Sequence, residues 1–351
     1  MKRDGDVSPP TRVAVIGLGY WGPNLVRNLQ EVPGVEVACV CDSRLETLAH
    51  IGRRYPTVRA VTDVEAVFGD DTIDAVAIAT PVATHGPLAL AALQAGKHVF
   101  VEKPLAASVA EAEELVELAD RLGLVLMVGH TFLYSPPVNY VRELVQSGRL
   151  GSVYFISMSR VNLGIHQQDV SVVWDLGPHD FSILRYWLDE SPVWVSAASR
   201  ACVMAEKSDV AFINLGFPSG TIAHVELSWL APSKLRRTTV VGSRQMVVYD
   251  DTSPEPVRIF DTGVVFSHPE TFGEYQLSYR TGDIVSPSLE PAEPLLLEMT
   301  DFCSAIRDGV VPRSSGRLGL EVVHVIDAVD RSLAAGGDRQ AVEISPLALV
   351  R

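Results

Sequence analysis

Two short segments hold residue types suited to proton and hydride chemistry at a hydroxyl-bearing carbon. In Glu102-Lys103-Pro104 a lysine follows an apolar run, and in D-L-G-P-H an aspartate, Asp175, precedes a histidine, His179, at D-x-x-x-H spacing. An imidazole titrates near neutrality and can take a hydroxyl proton. A lysine can stabilise the alkoxide charge that then develops. A carboxylate one helical turn from the histidine can hold the ring and orient a substrate. Each has a plainer reading alone: a strand-end lysine, an N-cap aspartate placed by the proline of Leu-Gly-Pro, a packed histidine. Together they point to alcohol oxidation, with Lys103, Asp175 and His179 as catalytic and substrate-contacting candidates.

Such a reaction needs a hydride acceptor, and TRVAVIGLGYWGPNLVRNL reads as a place to hold one. Val13 to Ile16 form a short apolar strand, and Gly17, Gly19 and Gly22 follow as G-x-G-x-x-G ahead of a helix over Asn24 to Gln30. Gly17 permits the tight turn, Gly19 lets backbone N–H groups approach a pyrophosphate, and Gly22 lets the helix pack close to the sheet. The diphosphate is expected at the helix N-terminus, where unpaired N–H groups and the dipole favour an anion. Asp42 closes the second apolar run and is placed to hold the ribose hydroxyls. Its charge favours NAD. Ser43 and Arg44 beside it would suit the 2′-phosphate of NADP if Asp42 turned away. The expected cofactor set also includes Tyr20 and Trp21 in the turn, Thr80 and Pro81 at the end of a third strand, and Glu102 and Lys103 at the end of a fourth. His85 belongs to the same set, although packing at a helix start is its preferred reading over catalysis.

A second group could meet the substrate. SMSRVNLGIHQQDVS carries Arg160, Asn162, His166 and Gln167, which could hydrogen-bond a polyol or phosphate, or lie solvated in a loop. Lys234, with Arg236 and Arg237, makes a small basic run that could hold a phosphate or mark an exposed strand end.

Elements that would position these residues follow from the apolar spacing. Strands are expected over Val13–Ile16, Val35–Cys41, Ala75–Ala79, His98–Val101 and Val125–Val128, alternating with helices over Arg44–Tyr55, His85–Ala95 and Ala110–Leu122. Alternation of this kind builds βαβ units and a parallel sheet. After Gly148 the chain changes to long alternating runs, such as VYFISMSRVNL and TIAHVELSWL, that read as antiparallel strands. Helices are expected over Pro178–Leu188, Pro294–Asp308 and Leu318–Leu333, and 263–294 reads as a long loop or arm.

With 351 residues the chain exceeds one ordinary core, so two domains are expected. Its net charge of −14 argues against a nucleic-acid surface, though a local pocket could still be basic. No run is long enough to span a bilayer, and MKRDGDVSPP lacks the apolar core of a signal peptide, so a cytoplasmic protein with a disordered lead-in over 1–10 is expected. Cys39, Cys41, Cys202 and Cys303 read as small buried hydrophobes, and no metal site is expected.

These residues resemble the glucose–fructose oxidoreductase / inositol dehydrogenase / rhizopine-catabolism (Gfo/Idh/MocA) oxidoreductases along nearly the whole chain. The resemblance rests on VIGLGYWG, the Cys41-Asp42 pair, AGKHVFVEKPLA, the D-x-x-x-H of Asp175 and His179, and EPLLLEMTDFCSAIRDG. It implies an α/β protein: an N-terminal Rossmann dinucleotide-binding domain (11–130), then a substrate-binding and oligomerisation domain (131–351) with a large, mostly antiparallel open sheet. It further implies hydride transfer between NAD(H) or NADP(H) and a carbon of a sugar, nucleotide sugar or cyclitol. Lys103 would be the active-site lysine, Asp175 its acidic companion and His179 the general base. Many members carry a Gly-Gly run before the acid where this chain has SVVW. The version with tryptophan and Gly-Pro looks most like members in which C3 of a sugar is oxidised. A keto-sugar or imine reductase and a non-catalytic dinucleotide sensor are the alternatives. A homodimer or homotetramer is expected, because the strands of VVYDD and VELSWL would otherwise leave apolar side chains in water.

Overall fold

Short apolar runs bounded by glycine and polar residues pair side by side here, because each can bury both faces only within a covered parallel sheet. The computed structural model describes residues 9–164, 166, 169–203, 205–266 and 277–349. Most of the expected lead-in, residues 1–8, and Gln167 lie outside the described residues. The chain groups into two compact units: Met1–Tyr134 with Glu293–Val323 and Ser345–Arg351, and Ser135–Ala292 with His324–Ile344. A single cut at 130/131 does not provide for the return of 293–323 to the first unit.

In the first unit the elements are β1 (Thr11–Ile16), α1 (Gly22–Glu31), β2 (Val35–Cys41), α2 (Leu45–Arg54), β3 (Arg59–Val61), α3 (Glu65–Phe68), β4 (Ala75–Ile78), α4 (His85–Gln94), β5 (His98–Glu102), α5 (Val109–Leu122) and β6 (Leu126–Gly129). The strands form one parallel sheet in the order β3-β2-β1-β4-β5-β6, with Val13 opposite Val37 and Ile16 opposite Ile78. Val13, Ala14 and Val15 are fully buried, as are Val99, Phe100 and Val101. Strand order reverses between β1 and β4, the place where sheets of this kind leave a crevice at their carboxyl ends. Helix boundaries follow ordinary capping chemistry: Ser108 accepts a hydrogen bond from the Glu111 N–H at the start of α5, and Gly123, at φ +66°, ends it.

The second unit opens with α6 (Pro136–Gln146), then β7 (Val153–Leu163), α7 (Val172–Leu188), β8 (Trp194–Arg200), β9 (Val210–Gly216), β10 (Ile222–Ser228), β11 (Leu230–Gly242), β12 (Met246–Asp250), β13 (Val257–Phe266) and β14 (Leu277–Val285). The chain continues through α8 (Pro294–Asp308), which packs on α1 in the first unit, and α9 (Gly316–Ala334), then β15 (Gln340–Ala341) and α10 (Pro346–Leu349). The sheet of this second unit has nine strands in the order β14-β13-β12-β11-β7-β10-β9-β8-β15. It is antiparallel except between β7 and β10, which run parallel with Val225 opposite Met158.

Four expectations are corrected. The segment 263–294 is no structureless arm: β13 and β14 pair antiparallel, with Val264 opposite Tyr279. Helix α7 starts at Val172 with Ser171 as its N-cap residue, so Asp175 lies inside the first turn and Pro178 inside the helix. Cys202 is exposed. The VVYDD and VELSWL strands bury Val247, Val248, Tyr249, Val225 and Leu227, whereas Tyr154, Phe155 and Leu163 on β7, Phe212 on β9 and Ile222 on β10 are exposed. Among the described residues no helix is long and apolar enough to cross a membrane.

Candidate active site

At the switch in the first sheet, the glycine turn is shaped by its neighbours. Gly17 has φ +88°, and a Cβ there would stand 2.6 Å from the Ala79 carbonyl oxygen. A Cβ on Gly22 would stand 2.0 Å from the Gly17 carbonyl oxygen, so this position closes the turn against the helix. At Gly19 a Cβ would meet nothing within 4 Å among the described residues, so their packing does not require glycine there. Trp21, the N-cap residue of α1, makes no side-chain capping hydrogen bond among the described residues, and Pro23 stands in the first turn. Open space over a glycine, uncapped N–H groups and a positive dipole end together fit a dinucleotide pyrophosphate. Tyr20 and Trp21 flank the turn, exposed and edge to face at 5.8 Å.

Asp42, just past β2, is buried and orients the same turn: its Oδ2 accepts the Leu18 N–H at 2.8 Å. Arg44 donates to it as well, through the backbone N–H and Nε to Oδ1 at 2.9 Å each and through Nη2 to Oδ2 at 3.0 Å. The Arg44 side chain holds the Asp42 carboxyl down at about 2, against the opposing effect of burial. Ser43 is exposed beside them. On β4's carboxyl side, Thr80 Oγ1 accepts from Thr84 and Pro81 is exposed.

Lys103 follows β5 at the carboxyl edge of the same sheet, half-buried, with a cis bond to Pro104. His85 is 1% exposed, with Nδ1 at 2.8 Å from the Pro104 oxygen and Nε2 at 2.9 Å from the Thr80 oxygen. It thereby ties the β4 and β5 turns together, a positioning role that suits its packing reading.

Behind Lys103 lies a buried ionisable cluster of which the sequence reading singled out only Glu102, expected at the cofactor and here buried. Burial pushes the Glu102 carboxyl up to about 7, with Lys103 partly offsetting it. His130, just after β6, is 1% exposed, and neither ring nitrogen has a hydrogen-bond partner among the described residues. Burial, reinforced by the Lys103 charge, lowers it to about 3, so the ring is neutral. Glu298 on α8 is fully buried, accepts from Thr131 Oγ1 at 2.7 Å, and is raised by burial and by Glu102. Only the sequence adjacency of Glu102 and Lys103 could have pointed here.

In the second unit Asp175 and His179 lie at i and i+4 on α7, hence on one face of it. Asp175 Oδ2 accepts the indole N–H of Trp229 at 3.1 Å. The His166 ring lies 5.2 Å from the Trp229 ring, and its Nε2 is 3.9 Å from Oδ2 of Asp209, a buried carboxylate that accepts the Cys202 and Val203 N–H groups. A Cβ on Gly164 would touch both Asn162 and Trp229 at 3.0 Å. Asn162, His166 and Asp175 thus gather around Trp229, a residue not singled out for the site from sequence.

Two substrate candidates stand elsewhere. Arg160 is buried and engages Asp180 through Nε and Nη2 at 2.8 and 2.9 Å, a two-pronged ion pair that fixes β7 to α7. Lys234 is exposed in the irregular stretch of β11 between Leu230 and Leu235.

Comparison with known proteins bears on the family of the chain. The family model for the Gfo/Idh/MocA oxidoreductases, NAD-binding Rossmann fold, matches residues 11–130, and the Gfo/Idh/MocA C-terminal domain matches 138–248. A 4-carboxy-2-hydroxymuconate-6-semialdehyde dehydrogenase from a Sphingobium species is 33% identical over 93% of this chain and 100% of its own. The scyllo-inositol 2-dehydrogenase (NAD(+)) of Bacillus subtilis is 27% identical over 86% of this chain and 87% of its own. Among solved structures, UDP-N-acetylglucosamine 3-dehydrogenase from Acidithiobacillus ferrooxidans superposes with a TM-score of 0.76 at 26% identity, covering 92% of this chain and 97% of that one. With both domain models matched in order, the chain belongs to the Gfo/Idh/MocA family of NAD-dependent oxidoreductases.

Proposed function

We propose that this oxidoreductase moves hydride between NAD and a hydroxyl or keto carbon of a sugar, nucleotide sugar or cyclitol. The observation that carries the reading is the placement of Lys103 on the sheet edge that also holds the glycine turn and the ends of β1 and β4. Substrates named for the inositol and nucleotide-sugar relatives support the compound class.

Gly17, Gly19, Gly22 and Asp42 would hold the cofactor, with Tyr20, Trp21, Ser43, Arg44, Thr80 and Pro81 around it. NAD, when bound, supplies the acceptor for hydride from the substrate carbon. In the oxidation direction His179 takes the hydroxyl proton on its imidazole, and in reduction it returns that proton. Lys103 stabilises the oxygen as it acquires charge. Asp175, held by Trp229, orients His179 or a substrate hydroxyl. Asn162 and His166 extend the polar surface around Trp229, and the exposed Tyr154, Phe155, Phe212 and Ile222 would be covered in a homodimer or homotetramer.

A second reading draws on the semialdehyde dehydrogenase relative: oxidation of an aldehyde acid through its hydrate by the same residues. Absorbance at the reduced nicotinamide band, with NAD and sugars, cyclitols, nucleotide sugars and aldehyde acids, decides between them. Turnover confined to hydroxyl substrates supports the first reading, and turnover confined to aldehyde acids replaces it with the second.

A further inference from the structure

Glu102 ends β5, opposite Gly129 on β6. A Cβ on Gly129 would stand 2.9 Å from Glu102 Oε2, so the carboxyl lies over the bare backbone of that glycine. The next two residues close the cluster. His130 is a buried ring, and the Thr131 hydroxyl donates to Oε2 of Glu298, fully buried on α8. The Lys103 charge acts on both Glu102 and His130. One short run, 129–131, thus gathers two buried carboxyls and an imidazole beside Lys103.

Two carboxyls in one buried cluster cannot both give up their protons. Their surroundings differ. Burial opposes charge on Glu102, and the Lys103 cation favours it. Burial opposes charge on Glu298 as well, and there the neighbours are acids: Glu102, and Asp301 one turn along α8. Asp301 Oδ2 accepts the Tyr134 hydroxyl at 2.7 Å and the Arg313 N–H at 2.8 Å. Among the described residues only the Thr131 hydroxyl favours charge on Glu298, and its Oε1 has no partner. Burial and the Lys103 charge keep His130 neutral, so the ring does not compete with Lys103 for an anion.

We propose that Glu102 and Glu298 share one proton, held by Glu298, and that the Glu102 carboxylate is a positioning residue that holds the Lys103 ammonium group in place for the substrate oxygen. The proposal rests on the reading that Lys103 acts on that oxygen. Glu102 loses its proton to water as pH rises through about 7. Below that range Lys103 faces a neutral acid, and above it a carboxylate. Glu298, an acid throughout, keeps a second negative charge out of the cluster.

The test is kcat from pH 5.5 to pH 8.5 with NAD and the best substrate, for the wild type, Glu102→Gln, Glu298→Gln and Lys103→Met. Dividing each variant by the wild type removes the ionisations that the two proteins share. The ratio for Glu102→Gln should fall by at least about fivefold from the acid to the alkaline end. Glutamine at 298 imitates the protonated acid, so the Glu298→Gln ratio should not change with pH. A pH-independent ratio for Glu102→Gln overturns the positioning role, and a pH-dependent ratio for Glu298→Gln overturns the placement of the proton. Carbon-13 NMR of glutamate carboxyls in the wild type decides even if a variant fails to fold. One carboxyl should titrate near 7 and another should still be protonated at pH 8. Ionisation of every glutamate by pH 6 overturns the proposal. Lys103→Met separates the two levels: turnover that survives it removes the reading of Lys103, and the proposal with it. If Lys103→Met loses turnover and the Glu102→Gln ratio stays flat, only the Glu102 proposal falls.

Discussion

The indole N–H of Trp229 meets Asp175 Oδ2 at 3.1 Å, tying the residue after β10 to the first turn of α7. Trp229 is 1% exposed, so its ring is fixed by packing and the carboxylate is aimed by it. Replacing Trp229 with Phe keeps an aromatic ring and removes only the donor. The expected result is a loss of about three- to tenfold in kcat, the worth of one hydrogen bond, with NAD affinity unchanged. Steady-state kinetics beside nucleotide titration checks it, and equal losses in both would contradict a role confined to Asp175.

Gly19 separates cofactor binding from folding. Because a Cβ there meets nothing within 4 Å among the described residues, Gly19→Ala should leave the melting temperature of the free protein unchanged or slightly raised. In the proposed placement of the cofactor the same methyl group would meet the pyrophosphate, so NAD binding should fall by at least about tenfold. At Gly22 the added Cβ would collide with backbone, and Gly22→Ala should lose both stability and binding. Calorimetric melting and NAD titration on the two variants distinguish these patterns.

Arg160 is expected to support the fold of the second unit. Breaking a buried ion pair on one side leaves the other charge uncompensated, so Arg160→Met should cost about 3–5 kcal/mol in denaturant unfolding. The double variant Arg160→Met/Asp180→Leu should recover most of that. A double variant as unstable as the single one would contradict this account of the Arg160–Asp180 pair.

Five strands of the first sheet, β1, β2, β4, β5 and β6, were legible because each is a short apolar run; β3, three residues long with Arg59 and Ala60 exposed, carries no such mark and was not expected. The glycine turn was legible too, as its spacing states its geometry. The β13–β14 hairpin was not, because Val264, Tyr279 and Ile284 are exposed and leave no burial pattern among its glycines and serines. Pro178 was read as a helix start. In the structure Ser171 precedes the helix and Pro178 lies within α7, where Gly177 lets Phe181 pack close. Pairings between distant segments carry no local mark at all, which is why Trp229 beside Asp175 and the buried cluster of Glu102, His130 and Glu298 emerged only with the fold. Arg160, polar and next to Asn162 in sequence, looked like a ligand residue; its partner Asp180 is one that only the packing of α7 on the sheet supplies.

Glu102 should make stability depend on pH. Its carboxyl is raised from 4.5 to about 7 by burial, so the folded protein holds this proton more tightly than the unfolded chain. The resulting stability is fully present below pH 4.5 and is lost as pH rises through about 7. Glu102→Gln cannot lose that proton. Moving from pH 5 to pH 8, the stability of the wild type should therefore fall relative to Glu102→Gln, by on the order of 3 kcal/mol. Paired denaturant titrations at the two values check it, and a difference independent of pH would contradict the assignment.

Lys103 is proposed to act on the substrate oxygen at the sheet edge where the glycine turn would hold NAD. Its most direct test is Lys103→Met, assayed for reduction of NAD by the best substrate and, in parallel, for NAD binding by titration calorimetry. The account predicts turnover reduced by at least about a thousandfold while NAD binds within a few-fold of the wild type. Turnover that survives the substitution, with binding intact, would contradict it.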